Sequence, residues 1–169
     1  MKSPISALLF SSVFLLGCSL FGKYSEVEYN NLIVEGMNQS SLALEETTEL
    51  YNQTLPGVIT EEHEIDINEM EDSFKNAQKL FENSADLLNL ESRNIEQQNA
   101  VRTELGTYRS AAELYLETYD AMLTYYRDGD YKEDLTKVET LDETLHTHYT
   151  TFIEANNDLV DTLESFVTQ

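Results

Sequence analysis

The sequence predicts an all-α fold, an up-and-down (antiparallel) four-helix bundle, and three observations carry that expectation. Apolar residues recur at three- and four-residue steps through most of the chain. Only 2 prolines and 6 glycines punctuate its 169 residues, and no run alternates as a half-buried strand would. Three interruptions, the first of them the longest, divide the periodic sequence into four stretches, the pattern of helices connected to their neighbours in space.

The first helix is expected to start near Ser25. Ser25 and Glu28 have capping-box spacing, and Tyr24 and Tyr29 flank them at the spacing of a hydrophobic staple. Its apolar stripe is Tyr29, Ile33, Met37, Leu44 and Tyr51. The stretch TLPGVITEEHE, residues 54–64, is expected to be a connector, because Pro56 disfavours helix at Leu55 and Gly57 readily turns. A second start follows at Asp66, with Glu69 in the box position and Ile65 and Met70 as the staple. The stripe Met70, Phe74, Ala77, Phe81, Ala85 and Leu88 defines the second helix.

NLESRN, residues 89–94, breaks the apolar pattern, and the third helix is expected from Asn94, with Gln97 in the box position. Its stripe, Val101, Leu105, Tyr108, Ala112, Tyr115, Tyr119, Met122 and Tyr126, alternates steps of four and three, as a helix packed along its neighbours requires. A tight reversal is expected at Asp128 and Gly129, with Asp130 and Glu133 spaced as another capping box. The fourth helix carries Leu135, Val138, Leu141, Leu145, Tyr149, Phe152, Leu159, Leu163 and Phe166, and Asn156 falls on the same stripe.

Charge narrows the function classes. Against 10 Lys and Arg stand 32 Asp and Glu, a formal net charge of −22. Such a surface repels phosphate backbones, so no nucleic-acid partner is expected, and it repels anionic lipid head groups as well. Any membrane attachment must therefore come from something other than surface charge. One cysteine excludes an internal disulfide, so stability must come from packing.

The N-terminal segment supplies that attachment. Lys2 precedes a 12-residue apolar run, ISALLFSSVFLL, and the small Gly17 precedes Cys18, which together read as an export signal too short to span a bilayer. LLGC, residues 15–18, resembles the lipobox of bacterial lipoproteins. The resemblance implies a diacylglyceryl group on the Cys18 sulfur and cleavage before it. The expected organisation is a signal peptide at 1–17, a lipidated anchor and short tether at 18–24, and a bundle domain at 25–169. Residues between Cys18 and Ser25 reach roughly 20 Å when extended. The expected location is the cell envelope, facing outside the cytoplasm. That is the outer membrane in a Gram-negative cell, where Ser19 rather than Asp follows the cysteine, or the outer face of the cell membrane in a Gram-positive one.

No other residues assemble an obvious chemistry. His146 and His148 lie two apart on a helix and cannot share an ion, and Glu143 and His146 form one Glu-x-x-His pair where a di-metal bundle needs two. DGDYKED, residues 128–134, departs from a calcium loop at its fifth and sixth positions, and Glu61, Glu62, His63 and Glu64 read as a solvated charge run. No metal and no cofactor beyond the lipid are expected. Neither a nucleophile elbow nor a phosphate-binding glycine loop is present. Tyr108, Tyr115, Tyr119 and Tyr126 share one stripe that suits core packing, or else a groove whose hydroxyls would meet a peptide or glycan. Asn156 is either a buried residue that fixes helix register or a ligand contact within the bundle.

These features predict a non-enzymatic envelope module that presents an acidic helical surface to a protein or peptide partner, with the membrane engaged through the lipid. The alternative is a small-molecule or cation-binding lipoprotein with a ligand site between the helices. Third comes an enzyme whose site is assembled from distant carboxylates.

The hairpin YYRDGDYKEDLTKVETLDETLHTHYTTFIEANNDLVDTLESF resembles the YiiG-like lipoproteins, a helical family of uncharacterised function. The shared features are the Tyr-Tyr helix end, the acidic "DY" turn, the "LH" of the last helix and a tail with Phe152, Ala155, Leu159 and Leu163. EYNNLIVEGMN, residues 28–38, is similar to that family's opening helix. The resemblance implies a helical fold and an envelope location, and brings no catalytic residues.

Overall fold

A computed structural model describes residues 22–60, 67–129, 131 and 134–166, with residues 55–60 described by their backbone alone. The chain is all-α. Its helices are α1 (Glu26–Thr60), α2 (Ile67–Asn83), α3 (Ile95–Arg127) and α4 (Leu135–Ser165), with a 3₁₀ segment, η1 (Ser84–Asn89), between α2 and α3. They pack as a bundle in which α1 lies against α2, α2 against α3, and α3 most extensively against α4; α4 returns to α1 at only a few points of close backbone approach. Hydrogen bonds from α1 to α4 pair rising residue numbers with falling ones, so these helices are antiparallel.

Every residue of the α1 and α3 stripes read from the sequence is buried. The capping box at the start of α1 forms as its spacing requires. The Ser25 N–H and hydroxyl donate to Glu28 Oε2 at 3.0 and 2.7 Å, and the Glu28 N–H donates to Ser25 Oγ at 3.3 Å. These bonds hold the Glu28 carboxyl below the usual carboxylate range. Just before the cap, the Tyr24 N–H donates to the Glu91 carbonyl and the Arg93 N–H to the Tyr24 carbonyl, both at 2.8 Å. This short parallel bridge fixes where the chain enters the bundle.

Three boundaries differ from the expected ones, and a fourth cannot be compared. α1 continues through Pro56 to Thr60 instead of ending at residue 54. A proline removes one N–H donor, and a helix of 35 residues carries that single loss close to its end. The second start at Asp66 and Ile65 lies outside the described residues. α2 ends at Asn83 rather than near Leu88. Its Phe81 carbonyl accepts from the Ser84 hydroxyl at 2.6 Å and from Arg109 Nη1 at 3.0 Å, and the backbone tightens into η1. Finally, Asp134 rather than Asp130 caps α4, its carboxylate accepting from the Lys137 N–H at 3.1 Å; Asp130 and Glu133 lie outside the described residues.

The α3–α4 reversal falls at Asp128 and Gly129 as expected, with Gly129 at φ 79° donating its N–H to the Tyr126 carbonyl. A second glycine is needed for space. A Cβ on Gly36 would come within 2.6 Å of Leu87 Cδ2, so its absence lets η1 nest against α1.

Candidate functional site

The tyrosines on the α3 stripe face the bundle interior, and their hydroxyls find partners on α1. Tyr108 shares its hydroxyl with Ser40 Oγ at 2.9 Å and Ser41 Oγ at 3.1 Å, Tyr115 pairs with Thr48 Oγ1, and Tyr119 donates to the Thr47 carbonyl at 3.2 Å. α1 and α3 are diagonal across the bundle, so the long rings bridge a space their backbones leave open. The Tyr119 ring stacks on Phe74 at 5.6 Å and Tyr108 tilts against Phe152 at 5.3 Å. Burial pushes the Tyr108, Tyr115 and Tyr119 hydroxyls above the ordinary phenol range, because the anion would be poorly solvated. Tyr126 is pushed up to about 12 for the same reason, and its hydroxyl is buried without a well-formed hydrogen bond. All four rings are core; none lies on an accessible surface.

The partners on α1 occupy its stripe without being apolar, so the apolar pattern passes over them. Ser40 and Thr47 are fully buried and fill the gaps in the stripe Met37, Leu44, Tyr51, completing steps of three and four. Their hydroxyls also return to α1's own carbonyls, Ser40 to Met37 and Thr47 to Ala43.

A second polar cluster joins the N-termini of α1 and α3. Asn94 caps α3 by accepting from the Glu96 and Gln97 N–H groups at 3.0 and 3.1 Å. Gln97 does not complete the expected box. Its amide donates to Asn30 Oδ1 at 2.8 Å and the Glu26 carbonyl at 3.0 Å, and accepts from Ser92 Oγ at 2.6 Å. The Asn94 N–H turns to Ser92 Oγ instead. The network is structural: it pins the bundle end where the chain enters.

The seam between α1 and α4 has a different character. Asp142, Tyr149, Asn156 and Leu163 recur every seven residues along α4 and meet α1 chiefly through polar groups. Asn30 Nδ2 donates to the Leu163 carbonyl at 2.8 Å, Ser41 Oγ to Asn156 Oδ1 at 3.3 Å, and the Tyr51 hydroxyl to Asp142 Oδ1 at 3.0 Å. Burial and the Glu45 carboxylate both raise Tyr149 above the phenol range. Asn156 is thus half-buried and engaged across this seam. Val34, Tyr149 and Ile153 are partly buried and pack against the core.

Charge follows the same division. α1 carries six acids and no lysine or arginine, and α4 carries seven acids and one lysine. α2 and α3 hold two lysines and three arginines among their acids. Most of those cations are engaged locally. Arg127 forks onto Glu71, Lys75 meets Glu71 and Asp72, and Arg109 lies over the Phe81 ring at 4.4 Å. The lysine of α4, Lys137, sits 4.4 Å over the Tyr125 ring.

His148 faces α3, its Nδ1 2.8 Å from Thr118 Oγ1 and 3.2 Å from the Leu114 carbonyl, whereas His146 is exposed. Among the described residues no group of three or more His, Cys, Asp and Glu converges as a metal site, and no helix is long and apolar enough to cross a membrane. Cys18 lies outside the described residues. Comparison with protein-family models, with curated proteins and with solved structures finds no match to this chain.

Proposed function

We propose that this chain is an exported, lipid-anchored bacterial protein that works without catalysis, presenting an acidic helical surface to a protein or peptide partner. The observation that carries the reading is the uneven placement of acid: thirteen carboxylates and a single lysine on α1 and α4, which adjoin each other, with the engaged cations mostly on the opposite side. Charge spread only for solubility has no reason to favour two adjacent helices. Lipidation of Cys18 follows from the lipobox-like LLGC, and the resemblance to YiiG-like lipoproteins fits the same location. The bridge at Tyr24 shortens the tether further, since only residues 19–23 separate it from Cys18, a reach of about 17 Å. The bundle end bearing Tyr24, Ser92 and Gln97 then faces the bilayer, and α1 and α4 stand away from it.

Replacing Cys18 with alanine tests the anchor. Loss of labelled-palmitate incorporation and release from the membrane fraction are expected; unchanged labelling would refute the anchored reading.

A further inference from the structure

We infer that the bundle end formed by the first turns of α1 and α3 rests in the head-group layer of a zwitterionic bilayer and holds the bundle upright on it, an inference that rests on the lipid-anchored reading above. Exposed apolar side chains and the course of the chain point to the same end. Of the five large apolar side chains exposed among the described residues, Val27, 59 % exposed, and Ile95, 52 % exposed, occupy the first turns of α1 and α3. Those turns are neighbours, because Gln97 Nε2 donates to the Glu26 carbonyl at 3.0 Å. In an α-helix each Cα–Cβ bond tilts toward the N-terminus, so both side chains lean toward the bundle end. The chain arrives at this end too: Tyr24 is bonded to Glu91 and Arg93 at 2.8 Å, and only SLFGK, with the apolar Leu20 and Phe21, separates it from Cys18. A tether of about 17 Å is much shorter than α1 or α3, each about 50 Å long, so the opposite end of the bundle stays out of reach of the lipid that holds Cys18. Charge favours the same placement. Lys23 lies 3.9 Å from Glu91 and Arg93 is exposed beside them, so cations gather at this end where α1 itself has none. Glu26 and Glu96 stay at head-group depth, where zwitterionic lipid presents its own cations; an anionic surface would repel them. A valine and an isoleucine hold no protein on a membrane by themselves. Beside a lipidated Cys18 they act within one molecule, and what they set is orientation.

The test uses the full lipidated chain, one copy per phosphatidylcholine nanodisc, with a spin label introduced through Glu96→Cys or Thr136→Cys; a lipidated Cys18 has no free thiol to label. Collision with oxygen, which concentrates in lipid, against collision with a water-soluble nickel chelate reports depth. The label at position 96 is expected in the head-group layer, and the label at position 136, at the far end of α4, in water. Val27→Ser combined with Ile95→Ser, at sites already more than half exposed, is expected to lower the ratio of docked to free bundle about tenfold while lipid labelling and membrane fractionation stay unchanged. Leu135→Ser, which removes an exposed apolar side chain from the far end, is expected to change neither. A lipidated chain whose two labels are equally open to nickel, or a double variant that docks as well as its parent, would overturn the docking and leave the anchor in place. Shielding of position 96 that persists in a lipid-free Cys18→Ala chain would assign the apolar pair to a second copy and overturn the lipid surface. A chain that takes up no lipid at all would overturn both readings.

Discussion

Two seams of the bundle share the helix α4 and are built oppositely. Against α3, α4 contributes Leu145, Phe152, Ala155 and Leu159, all buried, to a core filled by the α3 tyrosines. Against α1 it contributes Asp142, Asn156 and the Leu163 carbonyl, each held by one side-chain hydrogen bond. Apolar burial scales with area and is worth about 1.5–3 kcal/mol for a large side chain, whereas a hydrogen bond exchanged with water nets about 0.5–1.5 kcal/mol. The α3–α4 seam therefore carries the stability. The α1–α4 seam carries the acid and is the less costly one to open.

Alkaline pH strikes the tyrosine-rich core that both seams enclose. Seven tyrosines, Tyr29, Tyr51, Tyr108, Tyr115, Tyr119, Tyr126 and Tyr149, are raised above the phenol range in the fold. An acid whose folded value is raised holds its proton after the unfolded chain has released it, so stability falls as pH climbs past about 10. For Tyr126, at about 12 in the fold, the loss reaches about 2–3 kcal/mol by that pH. Cooperative unfolding above pH about 10, with phenolate absorbance and loss of helix signal rising together, is the expected outcome. Ionisation of all ten tyrosines near pH 10 with helicity intact would contradict the buried placement.

Single substitutions then separate the seams by size. Phe152→Ala, which removes a ring packed against Tyr108 and Tyr149, is expected to cost about 3–5 kcal/mol in denaturant unfolding. Asn156→Ala, four residues along the same helix, removes one partly exposed hydrogen bond and is expected to cost less than about 1 kcal/mol. Comparable losses at the two positions would erase the distinction.

The difference between the seams also explains what could be read from the sequence. Stripes at three- and four-residue steps report burial directly, so α1, α3 and the core of α4 were legible, as was the Ser25–Glu28 box, whose partners are three residues apart. Asn94 and Gln97 have the same spacing, yet Gln97 is drawn to Asn30, 67 residues away, because a buried amide takes the partners that the tertiary fold supplies. Ser40 and Thr47 hold stripe positions without being apolar, and only the facing tyrosine rings disclose their role. The α1–α4 seam itself left the weakest trace: Asn156 on an apolar stripe marked a polar contact without naming Ser41 as its partner. The uneven charge of α1 and α4 was visible residue by residue, but that these two helices adjoin is a property of the packing.

Distance distributions between paired spin labels test the contrast most directly, in a full chain with Cys18 replaced by serine. One pair sits at Asn38 and Asn157, across the α1–α4 seam, and the other at Leu114 and Thr151, across the α3–α4 seam. The account predicts a broad distribution for the first pair and a narrow one for the second. Equally narrow distributions for the two pairs would contradict it.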